Sequence, residues 1–397
     1  MMRLHWLAPF ALLLLPAAAS APTGTPGIRL SADSEQRWID FDLTPGNQIR
    51  FTMQVDGRPA TAILDTGVSF SVASQAYAAA NALGSDAAPP ARADAIGGAV
   101  PVGWADTRSL AFGGLTRTGG RIAVVDLKAI ATGSVQPVEM LIGSDILGCC
   151  ALDIDFDASR FRVLPSGRMP FQGNSVPLSM GKSSGVFVSE ASLGGRRVRP
   201  LIVDTGDGSA LTLSRSAWAA TGVRPRATTT AVAFGLGGPI ETEVAVVPVV
   251  VLGAQTVRDV EVRIEAKDGF SDLTGTAGRI GSGLLQRFRV LMDPGAGHMV
   301  FAPGKRTDTE PVRSTSGLLV GHSNSRLSVL HVMRGSPAAK NGWQQGDQVC
   351  TIDGAPVPPV GSGGSIDTSW SAGMPGRIVV FGLCDGTERS LTLRRFY

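Results

Sequence analysis

The tripeptide Asp-Thr-Gly occurs twice in the chain, each time directly after an apolar run, and its aspartates are Asp65 and Asp204. An aspartate in this position lies at the rim of a hydrophobic core, where Gly lets the backbone turn sharply and Thr supplies a hydroxyl. Two carboxyl groups held side by side cannot both ionise easily, so they share a proton. One can then activate water as a base, while the other protonates a carbonyl oxygen as an acid.

The spacing around the two copies indicates an internal duplication. An Ile-Gly-Ser phrase follows each copy: Ile142 lies 77 residues after Asp65, and Ile280 lies 76 residues after Asp204. One repeat is predicted to run from about residue 50 to 164, and the other from about 186 to 302. A pseudo-twofold arrangement of such repeats brings equivalent loops together. The sequence therefore predicts that the two aspartates face each other across an axis.

Composition and local patterns predict an all-β fold. The 397 residues include 50 glycines and 25 prolines, and only 17% of residues are charged, which suits a turn-rich β protein. Each repeat opens with a predicted hairpin and continues into the apolar strand that ends in Asp-Thr-Gly. A short helix, at residues 73–83 or 214–221, and Gly-rich strands complete each repeat.

The N-terminus predicts export from the cytoplasm. A basic start, an apolar stretch over residues 7–15 and the small residues that follow are typical of a signal peptide. The apolar stretch is shorter than the roughly 20 residues that span a bilayer. Residues 1–21 are therefore predicted to be a signal peptide, and the mature protein to be periplasmic or secreted, with no transmembrane span.

Four cysteines remain after the predicted signal peptide, and in an oxidising compartment they allow three disulfide connectivities. Cys350 and Cys384 both fall on predicted strands near the C-terminus and form a candidate pair. The adjacent Cys149 and Cys150 are expected not to pair with each other and to be apolar core residues.

The two halves resemble the repeated lobes of the pepsin and retropepsin superfamily of aspartic peptidases, and among these the bacterial retropepsin-like branch in particular. Besides the two Asp-Thr-Gly copies, the resemblance includes a hydrophobic-hydrophobic-Gly element, matched at residues 141–143 and, with Arg279 in the first place, at residues 279–281. It implies a bilobal acid-protease fold, with lobes at residues 22–168 and 169–304, and no cofactor or metal.

The resemblance also implies an endopeptidase activity on a peptide or protein substrate, with Asp65 and Asp204 as the catalytic residues. The substrate would lie extended in a cleft between the lobes, held by main-chain hydrogen bonds beneath β-hairpin flaps. The residues implied to support the active site are Thr66, Gly67, Thr205 and Gly206. The residues implied to form the flap tips are Gly97, Gly98, Gly237 and Gly238.

Some residues depart from the family pattern. Asp207 follows the second Asp-Thr-Gly, where Val68 follows the first, and an extra carboxylate so close to the pair could raise its pKa values or reduce activity. No flap tyrosine is available, because Tyr77 lies in a predicted helix and Tyr397 ends the sequence. These departures motivate an alternative: a catalytically inactive, peptidase-like protein of the cell envelope that binds peptides or acts as a sensor.

After a polar linker at residues 305–316, residues 317–397 resemble a PDZ domain, a small α+β or β-barrel module. The resemblance rests on Gly-Ser-Pro-Ala-Ala at 335–339, Gly-Asp-Gln-Val at 346–349 and Ile-Asp-Gly at 352–354. It implies that a C-terminal peptide ligand binds by strand addition. The loop implied to receive the peptide carboxylate on backbone N–H groups consists of Gly317, Leu318, Leu319 and Val320.

Other chemistries lack the residues that they need. A net charge of +3 with scattered Lys and Arg argues against nucleic acid as a partner. A trypsin-like serine peptidase needs a histidine in its catalytic domain, and after the signal only His298 lies outside the PDZ-like unit. The acidic run 153–157 suggests a calcium loop, but Ala158 and Leu164 stand where such a loop needs Gly and Glu. A strand with outward carboxylates is predicted instead.

Overall fold

The structure is a computed structural model that describes residues 27–84, 91–128, 130, 136–360 and 368–397. The predicted signal peptide, residues 1–21, lies outside these ranges. Strands dominate the described residues and the few helices are short, so the predicted β character of the fold is confirmed. None of the helices in these ranges combines the length and the apolar character needed to cross a membrane.

The first half of the chain is built around the strand that leads into Asp65. Its core side chains alternate along the neighbouring strand, where Ile49, Phe51 and Met53 are buried. The strands of this half are β1 (Gly27–Leu30), β2 (Ile39–Asp40), β3 (Asp42–Leu43), β4 (Ile49–Val55), β5 (Arg58–Leu64), β6 (Val72–Ser74), β7 (Ala91–Ala93), β8 (Val100–Asp106), β9 (Ser109–Phe112), β10 (Leu115–Thr118), β11 (Arg121–Val125), β12 (Met140–Ile142), β13 (Ala151–Asp155) and β14 (Arg160–Leu164). Its helices are α1 (Gln75–Ala80) and α2 (Ser144–Leu147).

The second half repeats this order of elements. Its first helix begins like α1, because Ser214 accepts a hydrogen bond from the Ala217 amide just as Ser74 does from that of Tyr77. The strands are β15 (Asn174–Pro177), β16 (Ser179–Met180), β17 (Phe187–Leu193), β18 (Arg196–Asp204), β19 (Leu211–Leu213), β20 (Thr228–Gly235), β21 (Gly238–Leu252), β22 (Gln255–Ile264), β23 (Gly278–Gly281), β24 (Phe288–Asp293) and β25 (His298–Pro303). The helices are α3 (Arg215–Thr221), α4 (Phe270–Leu273) and α5 (Ser282–Leu285).

In each half the strand that ends at Asp-Thr-Gly pairs in parallel with the strand that leads into Ile-Gly-Ser. β5 pairs with β12, where Leu64 lies opposite Ile142, and β18 pairs with β23, where Val203 lies opposite Ile280. In the first half the third strand, β6, is antiparallel to β12 and parallel to β11. In the second half β19 is likewise antiparallel to β23 and parallel to β22. The same pairing pattern therefore positions both aspartates.

A six-stranded sheet joins the two halves, in the order β15-β25-β24-β13-β14-β2. At its centre β13 of the first half pairs with β24 of the second, and Leu152 lies opposite Met292. Both residues belong to one cluster of buried hydrophobic side chains that extends through the two halves. Separating the halves would expose this cluster to water, so their relative position is held by hydrophobic burial.

Asp153 lies inside this shared sheet. Its side chain is 0% exposed and accepts hydrogen bonds at 2.9 Å from Arg162 Nε and Arg289 Nη2. The prediction of outward carboxylates is wrong for Asp153, because two arginines neutralise it within the sheet that both halves share. Asp155 is partly buried and Asp157 is exposed.

All four cysteines form disulfides. Cys350 and Cys384, the candidate pair, are bonded to each other. Cys149 and Cys150 are also bonded to each other, so the prediction that they do not pair is wrong. They lie in the turn between α2 and β13, where Cys149 is exposed and is therefore no core residue, whereas Cys150 is buried as expected.

The described residues after 317 form a sheet of their own with a separate hydrophobic core. In this core Trp343 and Trp370 each pack edge-on against Phe381. The strands are β26 (Leu318–Ser323), β27 (Arg326–Val332), β28 (Gln348–Ile352), β29 (Ala355–Pro356), β30 (Ile378–Leu383) and β31 (Glu388–Thr392), with the helix α6 (Pro337–Lys340). Among the strands described, β26 pairs only with β27 and so lies at the edge of the sheet.

The C-terminal unit contacts the hairpin that β20 and β21 form in the second half. Thr230 Oγ1 lies 2.9 Å from His331 Nε2, and Thr229 Oγ1 donates to the Arg334 carbonyl at 2.8 Å. Arg334 also forms an ion pair with Glu243 at 3.6 Å. The proposed flap of the second half is therefore in contact with the C-terminal unit.

Replacing Asp153 by Asn is expected to lower the free energy of unfolding by about 3–5 kcal/mol, because Arg162 and Arg289 lose their buried counter-charge. Asp106→Asn is the control, since that side chain is 70% exposed beside Arg121 and such surface pairs contribute little. Urea unfolding followed by tryptophan fluorescence measures both variants. Equal losses of stability in the two would contradict this account of Asp153.

Candidate active site

The two Asp-Thr-Gly loops meet at the boundary between the halves. A Cβ atom added to Gly67 would lie 2.3 Å from Cγ of Asp204, and one added to Gly206 would lie 2.4 Å from Cγ of Asp65. Each carboxyl group thus packs directly against the glycine of the opposite loop. Any larger residue at either glycine would push the opposing carboxyl group away, so glycine is required here for space.

The two threonines of these loops form reciprocal hydrogen bonds. Thr66 Oγ1 donates to the Val203 carbonyl at 2.6 Å and accepts from the Thr205 amide at 3.1 Å. In the same way, Thr205 Oγ1 donates to the Leu64 carbonyl at 2.7 Å and accepts from the Thr66 amide at 3.1 Å. Both threonines are fully buried, so no water competes for these bonds. They hold the two loops in one fixed relation.

The paired carboxyl groups are almost completely buried, with Asp65 9% and Asp204 7% exposed. Burial and the adjacent Asp204 raise the pKa of Asp65 well above its usual range. Burial and the charge of Asp207 raise the pKa of Asp204 to about 6. Two acids that resist ionisation in contact with each other can hold one proton between them.

Backbone amides distinguish the two carboxyl groups. Oδ1 of Asp204 accepts hydrogen bonds from the amides of Gly206 and Asp207, both at 3.0 Å. Oδ1 of Asp65 accepts one from the Gly67 amide at 3.1 Å. Because amide donors stabilise an ionised carboxylate, Asp204 is the better candidate for the charged member of the pair.

The serines of the two Ile-Gly-Ser phrases brace the loops. Ser144 Oγ donates to the Val68 carbonyl at 2.8 Å, and Ser282 Oγ donates to the Thr205 carbonyl at 2.6 Å. In the sequence these phrases are landmarks of the repeat, and no role of the serines was predicted from them. Their repeated spacing from Asp-Thr-Gly was the signal that could have identified them.

The four glycines predicted as flap tips lie at the ends of two hairpins that touch each other. Gly97 and Gly98 lie between β7 and β8, while Gly237 and Gly238 lie where β20 turns into β21. The Gly237 amide donates to the Ile96 carbonyl at 2.9 Å. A Cβ atom added to Gly97 would lie 2.4 Å from the Gly238 carbonyl oxygen, so the two backbones are in direct contact.

Two residues that depart from the family pattern lie next to each other. Arg279 Nε donates to Asp207 Oδ2 at 3.1 Å, and its Nη1 donates to Glu265 Oε1 at 2.7 Å. This network was not predicted from the sequence, because Asp207 and Arg279 are 72 positions apart. The available signal was that both are charged where the first repeat has the apolar Val68 and Leu141.

The predicted carboxylate loop of the C-terminal unit leads into the edge strand β26. Gly317 precedes the strand with φ +81°, and residues 318–320 begin it. The Gly317 amide donates to Ser314 Oγ at 2.9 Å, and the Leu318 amide donates to Ser316 Oγ at 3.2 Å. A carboxylate bound to these two amides would have to replace the serine hydroxyls.

Comparison with known families identifies part of this site. Residues 51–146 match the family model described as Aspartyl protease. The matched segment contains Asp65, the loop that follows it and Ser144, and it ends before Asp204. No protein in the curated set gives a significant match to the chain. The second carboxyl group of the pair thus comes from outside the segment that the family model covers.

Substituting Thr205 by Val, which keeps the shape but removes the hydroxyl, is expected to lower the free energy of unfolding by about 1–3 kcal/mol. The Leu64 carbonyl and the Thr66 amide would each lose a partner in a buried site. Thr205→Ser is the matched control, because it keeps the hydroxyl. Thermal unfolding compares the two variants, and a Thr205→Val variant that is as stable as the wild type, or no less stable than Thr205→Ser, would contradict the role assigned to the hydroxyl.

Proposed function

We propose that this protein is an aspartic endopeptidase in which Asp65 and Asp204 act as one catalytic pair. The proposal is carried by one observation, the packing of each carboxyl group against the glycine of the opposite loop. The match of residues 51–146 to the Aspartyl protease family supports it independently. So do the raised pKa values, which favour a single proton shared by the two acids.

Peptide hydrolysis at this pair begins with a water molecule. Asp204, as the carboxylate, accepts a proton from the water while the water oxygen bonds to the peptide carbonyl carbon. Asp65 donates its proton to the carbonyl oxygen, which yields a tetrahedral diol. The C–N bond then breaks as the leaving nitrogen takes up the proton that Asp204 holds and a diol hydroxyl returns a proton to Asp65, and the products are a carboxylic acid and an amine.

The proposed substrate is an extended peptide that lies between the carboxyl pair and the flap hairpins. The hairpin tips contact each other through the Gly237 amide and the Ile96 carbonyl, so they must separate to admit a peptide. Such backbone groups can then bond to the main chain of the substrate. Because this mode of binding uses no side chain of the substrate at the tips, it suits substrates of varied sequence.

The C-terminal unit is proposed to act as a PDZ-like module that binds the C-terminus of a second peptide. Its support is the edge strand β26, whose outer side has no paired strand among the residues described. A peptide can extend the sheet at such an edge. We also propose that the mature protein is periplasmic or secreted, and the two disulfides support an oxidising compartment.

Asp65→Asn and Asp204→Asn are each expected to reduce cleavage of a denatured protein or a peptide library by about 10²–10⁴-fold, because neither variant keeps the acid–base pair. The matched control is Asp42→Asn, since that side chain is 73% exposed. Cleavage is followed by mass spectrometry. Activity that persists in both active-site variants would remove the pair from the mechanism. A wild-type protein that binds peptides without cleaving them would favour the inactive alternative.

The rate is expected to rise as the pH increases through about 6, where Asp204 ionises, and to fall again when Asp65 loses its proton at higher pH. A pKa raised by folding also means that stability is lost as the pH rises through the folded value. Asp204→Asn should therefore gain stability relative to the wild type above about pH 6 and not below pH 3.8. A pH–rate profile and thermal unfolding at each pH test this, and a rate that is highest near pH 3 would contradict it.

Peptides that differ only in their C-terminal group test the PDZ-like module. A peptide library with free C-terminal carboxylates is expected to contain ligands that no longer bind once their C-terminus is amidated, because the loop at Gly317 would recognise the charge. Fluorescence anisotropy on the Asp204→Asn variant measures binding without cleavage. Equal binding of the free and amidated forms would contradict carboxylate recognition.

A further inference from the structure

A buried acid–base–acid network adjoins Asp204. It consists of Asp207, Arg279 and Glu265, whose side chains are 13%, 3% and 1% exposed. Glu265 is bound further by the Ser271 amide at 2.9 Å, and the Arg279 guanidinium lies 5.3 Å from the centre of the Phe270 ring. Arg279 is therefore held on several sides and points its Nε at Asp207.

The first half has an apolar pair at the same positions. Leu141 lies opposite Ile63 in the sheet just as Arg279 lies opposite Ile202, so the two residues share one register. Leu141 and Val68 both belong to a hydrophobic cluster of the first half. Replacing an apolar pair by buried charges costs desolvation free energy and seldom adds stability. The charged network therefore calls for an explanation other than stability.

The network changes how the backbone meets Asp204. Besides its bond to Arg279, the Asp207 side chain accepts a hydrogen bond from the Ser209 amide at 2.9 Å. The Asp207 amide donates to the side chain of Asp204 at 3.0 Å. The Asp207 amide also donates to the backbone carbonyl of Asp204 at 3.3 Å, whereas the corresponding amide of Val68 donates only to the backbone carbonyl of Asp65, at 3.4 Å, among the described contacts. An additional amide donor to the carboxyl group thus accompanies the charged network.

We propose that Arg279 is a positioning residue that, by holding the loop at Asp207, breaks the symmetry of the carboxyl pair, so that Asp204 carries the negative charge and Asp65 keeps the proton. Arg279 balances the charge of Asp207, which would otherwise oppose ionisation of Asp204, and fixes the loop whose amide stabilises the carboxylate. The catalytic consequence rests on the proposed function. The order of ionisation is a property of the folded protein alone.

The charges around the pair act differently on its two members. Asp207 raises and Arg279 lowers the pKa of Asp204, whereas Asp204 and Asp207 both raise the pKa of Asp65. Burial alone would raise the pKa of Asp207, but Arg279, the hydrogen bonds from Ser209 and Arg263 together outweigh burial, and the pKa is lowered. Arg263 also acts on Asp207, and Glu265 acts on Arg279. Asp207 is thus an ionised group that Arg279 compensates.

Titration of the carboxyl carbons by ¹³C NMR tests the proposal without reference to activity. The two signals are assigned in aspartate-labelled protein with Asp65→Asn and Asp204→Asn. In the wild type, Asp204 is expected to ionise at a lower pH than Asp65. Arg279→Gln should raise the Asp204 midpoint by about one pH unit, because a nearby positive charge is lost, and Asp207→Asn should lower it by a similar amount.

Two further variants keep the test decisive. Arg197→Gln is the matched control, since Arg197 is 53% exposed and pairs with Glu190, and it should leave the Asp204 midpoint unchanged. Arg279→Lys keeps the charge without the guanidinium fork, so it should fold even if Arg279→Gln does not, and should shift the midpoint by less. Equal midpoints for the two aspartates in the wild type, or an Asp204 midpoint that Asp207→Asn and the Arg279 variants leave unchanged, would overturn the proposal.

A parallel pH–rate profile separates this inference from the proposed function. If the protein is a peptidase, the acidic limb of its profile should move with the Asp204 midpoint in each variant. Shifted midpoints in a protein that cleaves no peptide would refute the proposed function and leave the ordering intact. Cleavage that requires both aspartates, with an Asp204 midpoint unaffected by the network, would refute the ordering alone.

Discussion

The site depends on holding two acidic side chains in contact where water scarcely reaches them. Two charged carboxylates in contact repel each other strongly in a medium of low dielectric constant. A proton shared between them would remove most of this repulsion, and the backbone must then prevent the loops from separating. The reciprocal bonds of Thr66 and Thr205 do this locally, and the six-stranded sheet and the hydrophobic cluster common to both halves do it over a longer range.

Symmetry in the backbone coexists with asymmetry in the charges. The two halves repeat the same strand pairings, so each presents its aspartate from an equivalent loop. A water molecule that attacks a carbonyl needs unlike partners, however, because one acid must accept a proton while the other donates one. The second half differs from the first in Asp207 and Arg279, next to the aspartate that accepts two amide bonds. The repeat supplies the geometry, and these substitutions supply the difference between its members.

The C-terminal unit is attached to this arrangement by more than its chain connection. Hydrogen bonds join His331 and Arg334 to Thr229 and Thr230 on the hairpin whose tip touches the opposing hairpin. The contacts are polar and partly buried, which is typical of contacts between units that keep separate hydrophobic cores. The hairpin therefore lies between two bodies, the lobe that it belongs to and the C-terminal unit.

Much of this protein could be inferred from local sequence patterns. The β character, the repeat and the two aspartates follow from alternation, glycine content and the equal spacing of Asp-Thr-Gly and Ile-Gly-Ser, all of which act over short stretches of chain. The sequence also shows that the second loop is unusual, because Asp207 and Arg279 are charged where the first repeat has apolar residues.

Only the tertiary structure decided which of these residues meet. It pairs Arg279 with Asp207 and Glu265, and it buries Asp153 between two arginines where an outward carboxylate was predicted. It also bonds Cys149 to Cys150 in a turn, against expectation. These outcomes depend on contacts between segments brought together by the shared sheet, or on the local path of a turn. Neither composition nor periodicity encodes contacts between distant segments. The alternation of a strand can therefore suggest which face of the sheet a carboxylate occupies, but not which charged side chains lie next to it.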